Sequence, residues 1–239
     1  MTLGHSVTHM VKDLTAFETK IGYDWKDKSL LTMAFVHRSY LNEHPGFSIG
    51  HNERLEFLGD AVLELIVTEY LYTNHPNPEG ELTNWRAALV NAKMLADVSK
   101  EMAVEEFLYL SHGEAKDAGS KARMYILANA FEAIVGAMYL DGGYEPCKTF
   151  IMAHVLSRLA YVLEHQLHLD PKSRFQEAAQ ERGGVTPTYR VMEETGPDHN
   201  KQFTVGAYVG EELVASGAGS SKQEAQIAAA EKALEAKGW

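Results

Sequence analysis

Apolar residues recur at helical spacing through the first two thirds of the chain, and the pattern changes near residue 170. Leu30, Leu31, Phe35 and Val36 follow Asp27-Lys28-Ser29, the start of a capped amphipathic helix. Residues 42–50, rich in Asn, His, Pro and Gly, read as a loop. A long helix is predicted from about residue 52 to 72, ended by Asn74-His75-Pro76-Asn77-Pro78. Leu82, Trp85, Leu89, Leu95 and Val98 predict a helix over 81–102. After a polar stretch at 111–122, a further long helix is expected over 123–140, stopped by Asp141-Gly142-Gly143, and another over 144–165.

Beyond Leu169-Asp170-Pro171 the chain reads as a short helix (173–182), three strand-like runs (188–194, 202–209 and 212–216) and an Ala-rich helix (221–236). A length of 239 residues suits two domains. The expected fold class is an all-α domain over residues 1–166, a linker at 167–171, and a small α+β domain (α-β-β-β-α) over 172–239.

Charge complicates any nucleic-acid reading. The net charge is −11, and from Asp170 onward 8 Lys and Arg face 11 Asp and Glu. Proteins that grip phosphates usually present a basic face, so composition argues against RNA. An acidic excess does fit a site for a hard cation. The single cysteine, Cys147, excludes an internal disulfide and a Cys-based zinc cluster, and reads as a small buried hydrophobe. Lys12, Asp13, Glu18 and Lys20 interrupt any apolar start, and Glu64 breaks the apolar run around it. A cytoplasmic protein with no membrane association and no organic cofactor is the expectation.

Two segments carry candidate chemistry. At about 100° per residue, Glu53, Glu56 and Asp60 fall within roughly 60° of one another, and Glu64 extends the stripe. Leu55, Leu58, Val62, Leu65 and Ile66 gather on the opposite side, the face expected to be buried. Like charges at this spacing repel, and a cation offsets the repulsion. Spacing alone favours a solvated acidic face. In the second segment, residues 126–137, Asn129 and Glu132 lie three apart, while Ala133 and Gly136 are small enough to admit a close neighbour. By itself this is a buried helix with one acid at its edge.

Identity changes both readings. Asn52-Glu53-Arg54-Leu55-Glu56-Phe57-Leu58-Gly59-Asp60 resembles the signature of the ribonuclease III family, and residues 126–137 resemble its second acidic segment. His37-Arg38-Ser39 resembles an early family element read as structural. The resemblance runs from about Ala16 to Ala236 and implies a helical, metal-dependent endonuclease domain followed by a double-stranded-RNA-binding domain. It places Glu56, Asp60, Asn129 and Glu132 around Mg2+ (with Mn2+ able to substitute), and Glu53 and Glu79 near the scissile strand. Asp60 and Glu132 are the residues implied to matter most for hydrolysis, which would leave 5′-phosphate and 3′-hydroxyl ends. Glu64 matches no family position and is expected to face solvent. Asn129 stands where the family commonly has Asp. An amide oxygen brings a dipole instead of a charge, so a weaker metal site and a higher magnesium requirement are expected.

In the C-terminal part, Gln176, Glu177 and Gln180 lie along one side of a helix, and residues 196–203, with His199 and Lys201, resemble the family's inter-strand loop. Ser221 and Lys222 open the last helix, where backbone N–H groups favour phosphate. Gln223, Glu224 and Gln226 follow, where the family often has further basic residues, so modest affinity is expected. Family members dimerise through the catalytic domain, which makes Phe57 a candidate contact in a homodimer. Two function classes remain: an endoribonuclease acting on structured precursors such as ribosomal and messenger RNA, or a non-cleaving RNA-binding protein disabled at Asn129. The retained Glu53, Glu56, Asp60, Glu79 and Glu132 favour the enzyme.

Overall fold

Helices fill the first part of the chain in the order α1 (Thr15–Ile21), α2 (Lys28–Ala34), α3 (Arg38–Glu43), α4 (Glu53–Asn74), α5 (Glu79–Val90), α6 (Ala92–Glu101), α7 (His112–Lys116), α8 (Lys121–Gly142), α9 (Tyr144–His154) and α10 (Leu159–Glu164). The computed structural model describes residues 11–197 and 201–239. It divides between His165 and Gln166 into two units, each with its own core. Asp27 caps α2 by accepting from the Ser29 N–H. No helix among the described residues is long and apolar enough to cross a membrane. Cys147 is buried in the first core.

Helix α8 is apolar around most of its circumference and runs through the middle of that core, with Leu127, Phe131, Ile134 and Val135 fully enclosed. Against it lies α4, through Leu55, Gly59, Val62, Leu63 and Ile66. Two glycines set the approach. A Cβ on Gly59 would stand 1.7 Å from the Glu132 carbonyl oxygen, and one on Gly136 would stand 2.1 Å from that of Leu55. The backbones therefore cross with no room for a methyl group on either side.

Three expectations need correction. The helix predicted over 81–102 is two helices, because Asn91 takes an extended backbone and its side chain accepts from the Met94 N–H at 2.9 Å, capping α6. The helix predicted over 144–165 breaks at Val155 into a 3-10 turn, Leu156–Arg158. There the Ser157 hydroxyl donates to the Ala153 carbonyl four residues back, a bond that bends helices. Leu65 is exposed, not buried with its neighbours, and falls within roughly 80° of exposed Phe57 and Tyr72 on α4.

The second unit begins with α11 (Pro171–Gly183), capped by Asp170 with Pro171 in its first turn. Strands β1 (Thr188–Thr195), β2 (Gln202–Val209) and β3 (Glu212–Gly219) form an antiparallel sheet in that order, and α12 (Lys222–Lys237) closes the unit. Phe175, Ala207, Ala229, Ala230, Ala233 and Leu234 make its core, and the alanines let α12 lie close to the strands. Val205 is buried in β2, while the partner register residue Val191 in β1 is exposed.

The Gly59→Ala variant should lose about 3 kcal/mol of stability, the upper range for overpacking, because its methyl group meets backbone that cannot rotate away. Chemical unfolding of the variant beside Ala61→Gly, on the exposed side of α4, measures this.

Candidate active site

The site begins at Asn52, one of the few buried polar residues. Its backbone N–H donates to the Val36 carbonyl at 2.9 Å and its side-chain amide to the Ala34 carbonyl at 3.2 Å. These bonds fasten the start of α4 to the α2–α3 connection, so the acids that follow emerge from a fixed point. Glu53 and Asp60 are exposed and Glu56 is half-buried. Across the glycine crossing, Asn129 and Glu132 are half-buried on α8.

Crowding shows in the electrostatics. Burial, then the nearby Asp60 and Glu56 carboxylates, push the Glu132 carboxyl up to about 8. Burial and the Glu53 charge also raise Glu56, opposed by a hydrogen bond from the Asn129 side chain. Asn129 is thus engaged with an acid of the cluster.

Among the described residues, no group of three or more His, Cys, Asp and Glu side chains is drawn together as a ready-made metal site. Glu56, Asp60 and Glu132 sit within electrostatic reach of one another without closing into a ligand set. The donors nevertheless suit a hard divalent cation. All are carboxylate or amide oxygens, and positive charge would favour the ionised form of the half-buried Glu132, whose carboxyl is raised to about 8.

Other acids lie elsewhere. Glu79 is the first residue of α5 and accepts from the Thr83 hydroxyl at 3.1 Å. The end of α4, Asn74, lies roughly 21 Å along the axis from Asp60, so one chain does not bring Glu79 to the cluster. Glu64, expected in open solvent, is only part-exposed and paired with Arg86 Nε at 3.2 Å. Glu53 pairs with Arg38 Nη1 at 3.6 Å, a partner that the sequence did not indicate.

A family model for ribonuclease-III-like proteins matches residues 27–159, spanning both acidic helices. The chain belongs to the ribonuclease III family. A model of the double-stranded RNA binding motif matches residues 171–237. A protein named Ribonuclease 3 from Pelotomaculum thermopropionicum is 43% identical, the alignment covering 92% of each chain. One of the same name from Protochlamydia amoebophila is 40% identical, covering 95% of this chain and 93% of that one. The nuclease domain of ribonuclease III from Campylobacter jejuni superposes with a TM-score of 0.54 at 38% identity, covering 61% of this chain and 97% of that domain.

In the RNA-binding unit of this ribonuclease III-family chain, Gln176 and Glu177 are exposed on α11, and Gln180 donates to the Thr186 hydroxyl at 3.0 Å. Lys201 is paired with Glu194 at 2.8 Å, and His199 lies outside the described residues. Ser221 caps α12 by accepting from the Glu224 N–H at 3.1 Å. The Glu224 carboxylate in turn accepts from the Ser220 N–H at 3.0 Å, so an internal anion already sits at this helix start. Lys222 is exposed, its Nζ 5.6 Å from the Phe203 ring centroid. Gln226, at a position where the family often has a basic residue, accepts from Lys172 Nζ at 2.8 Å, so α11 supplies the cation that contacts this position.

Stability of the metal-free chain should fall as pH rises from about 5 to 8. Glu132 keeps its proton up to about 8 when folded but only to its ordinary value of 4.5 when unfolded, so between these values the folded state binds the extra proton. The Glu132→Gln variant should flatten this slope in thermal melts with a chelator present, and an unaltered slope would assign the pH dependence elsewhere.

Proposed function

We propose that the chain hydrolyses phosphodiester bonds in double-stranded RNA at the crossing of α4 and α8, using a divalent cation. The observation that carries this reading is the convergence of Glu56, Asp60 and Glu132 from two helices, in a chain whose second unit matches a double-stranded RNA binding motif. Glu56, Asp60, Glu132 and the Asn129 amide oxygen would hold the ion, Mg2+ with Mn2+ able to substitute. When bound, such an ion neutralises phosphate charge and makes water a better nucleophile. Asp60 and Glu132 would orient the reacting groups, and the charge of a bound ion would favour the carboxylate form of Glu132, whose carboxyl is raised to about 8. Attack in line on phosphorus leaves 5′-phosphate and 3′-hydroxyl ends.

The second unit places duplex RNA through Gln176, Glu177, Gln180, His199, Lys201, Ser221 and Lys222, by groove shape and backbone phosphates. The exposed stripe of Phe57, Leu65 and Tyr72 supports pairing of two chains through α4. The nuclease domain from Campylobacter jejuni likewise has a region involved in dimer formation. Glu79 can act at a scissile strand only if a second chain brings it there. Processing of ribosomal RNA precursors and structured messenger RNA in the cytoplasm is the biological setting this chemistry fits.

Asn129 favours a second reading, an RNA-binding protein with a weakened site, because its amide engages Glu56 and adds no charge. Cleavage of a long, perfectly paired RNA across magnesium concentrations separates the two. Under the enzyme reading the parent cleaves, Glu132→Gln falls to background, and Asn129→Asp lowers the half-saturating magnesium about tenfold, equivalent to roughly 1.4 kcal/mol of added attraction. A parent that binds RNA and cleaves only after Asn129→Asp supports the second reading.

A further inference from the structure

Glu53 is held at the edge of the carboxylate cluster by a cation that the hydrolytic scheme does not use. Arg38, the first residue of α3, places Nη1 3.6 Å from Glu53 Oε1, while His51 Nδ1 lies 3.7 Å from Glu53 Oε2. The backbone beneath Arg38 is fixed. The His37 N–H donates to the Tyr109 carbonyl at 3.1 Å, Val36 accepts from the Asn52 N–H at 2.9 Å, and the His37 ring caps α3 by accepting from the Ser39 N–H. Arg38 and the acidic stripe of α4 are therefore tied to one residue, Asn52.

The side chain itself is open to solvent, with 69% of the Arg38 side chain exposed against 48% for Glu53. An ion pair so exposed contributes little to folding stability, so stability does not account for an arginine on this fixed stretch of backbone. The chain carries a net charge of −11, and Glu53, Glu56, Asp60 and Glu132 crowd the crossing that a polyanionic strand must approach. A guanidinium presents a planar fork that pairs with carboxylate and with phosphate in the same way. Glu53 lies about 4.5 Å along the α4 axis from Glu56, so a group beside Glu53 is one helical turn from the cluster.

We propose that Arg38 is a substrate-binding residue whose guanidinium rests on Glu53 in the free protein and transfers to a backbone phosphate flanking the scissile bond when RNA binds. Glu53 acts as a stand-in for that phosphate until the strand displaces it. The inference rests on the carboxylate crossing being the cleavage site.

The test combines cleavage kinetics with duplex-RNA binding as a function of salt. Binding is measured in the Glu132→Gln background, where cleavage does not intervene. If that background itself cleaves, the cluster reading fails, whatever Arg38 does. Arg38→Ala should raise KM about tenfold, leave kcat within about twofold, and reduce the salt slope of binding by close to one, the signature of one lost phosphate contact. Arg38→Lys should restore the slope, because charge is retained, while recovering only part of KM. Glu53→Gln should tighten binding in the presence of Arg38 and have no such effect in Arg38→Ala. The proposal is overturned if Arg38→Ala lowers kcat with KM and salt slope unchanged, which would make Arg38 only a support for Glu53. It is also overturned if Arg38→Ala changes none of the three.

Discussion

The close crossing of α4 and α8 is the constraint on which the candidate site depends. Gly59 faces the Glu132 carbonyl and Gly136 faces that of Leu55, at separations that exclude a methyl group from either residue. Helices packed through larger side chains stand 8–10 Å apart. Removing those side chains draws together the helix flanks that carry Glu56 and Asp60 on one side and Asn129 and Glu132 on the other. Apolar burial around the glycines, from Leu55, Val62, Leu63, Phe131 and Ile134, stabilises an approach that the acids themselves oppose. Burial first, and then the neighbouring Asp60 and Glu56 carboxylates, raise the Glu132 carboxyl to about 8 at this crossing.

Net acidity and RNA recognition are compatible because charge is distributed by position. The cations proposed to face phosphate are few: Arg38 at the start of α3 and Lys222 at the start of α12, each helix capped by a side chain. Lys172 reaches across from α11 to Gln226 of α12 and lies over the Tyr189 ring, at 5.2 Å from its centroid. Glu224 occupies the N-terminal turn of α12 with its own carboxylate, so an RNA phosphate approaching that turn meets an anion already in place. Specific placement does what overall charge would otherwise do, at the expected expense of affinity.

Much of this was legible in the residues, for different physical reasons. The order of elements followed from apolar periodicity and from cap residues such as Asp27, Asp170 and Ser221. The acidic stripe on α4 was visible as spacing, but only the nine-residue identity from Asn52 to Asp60 separated it from a solvated face. Breaks at Asn91 and Val155 escaped the periodicity because apolar residues recur at three- and four-residue intervals on both sides of each, and side-chain bonds to the backbone mark them. Leu65 was misplaced because a helix with apolar residues on two sides has no single buried face. Gly136 was noted as small, whereas Gly59, a glycine inside a helix, carried the same signal unread. The Arg38–Glu53 pair joins residues fifteen positions apart through the fold, beyond the reach of any local pattern.

The central claim, that the crossing forces together acids which a cation must neutralise, is tested most directly by calorimetric titration of magnesium into the metal-free protein at pH 7, in buffers of different ionisation enthalpy. With Glu132 protonated up to about 8, binding should release close to one proton per ion, and Glu132→Gln should release almost none. Magnesium binding by the parent with no dependence on the buffer would show that the ion displaces no proton from Glu132, and would contradict the account.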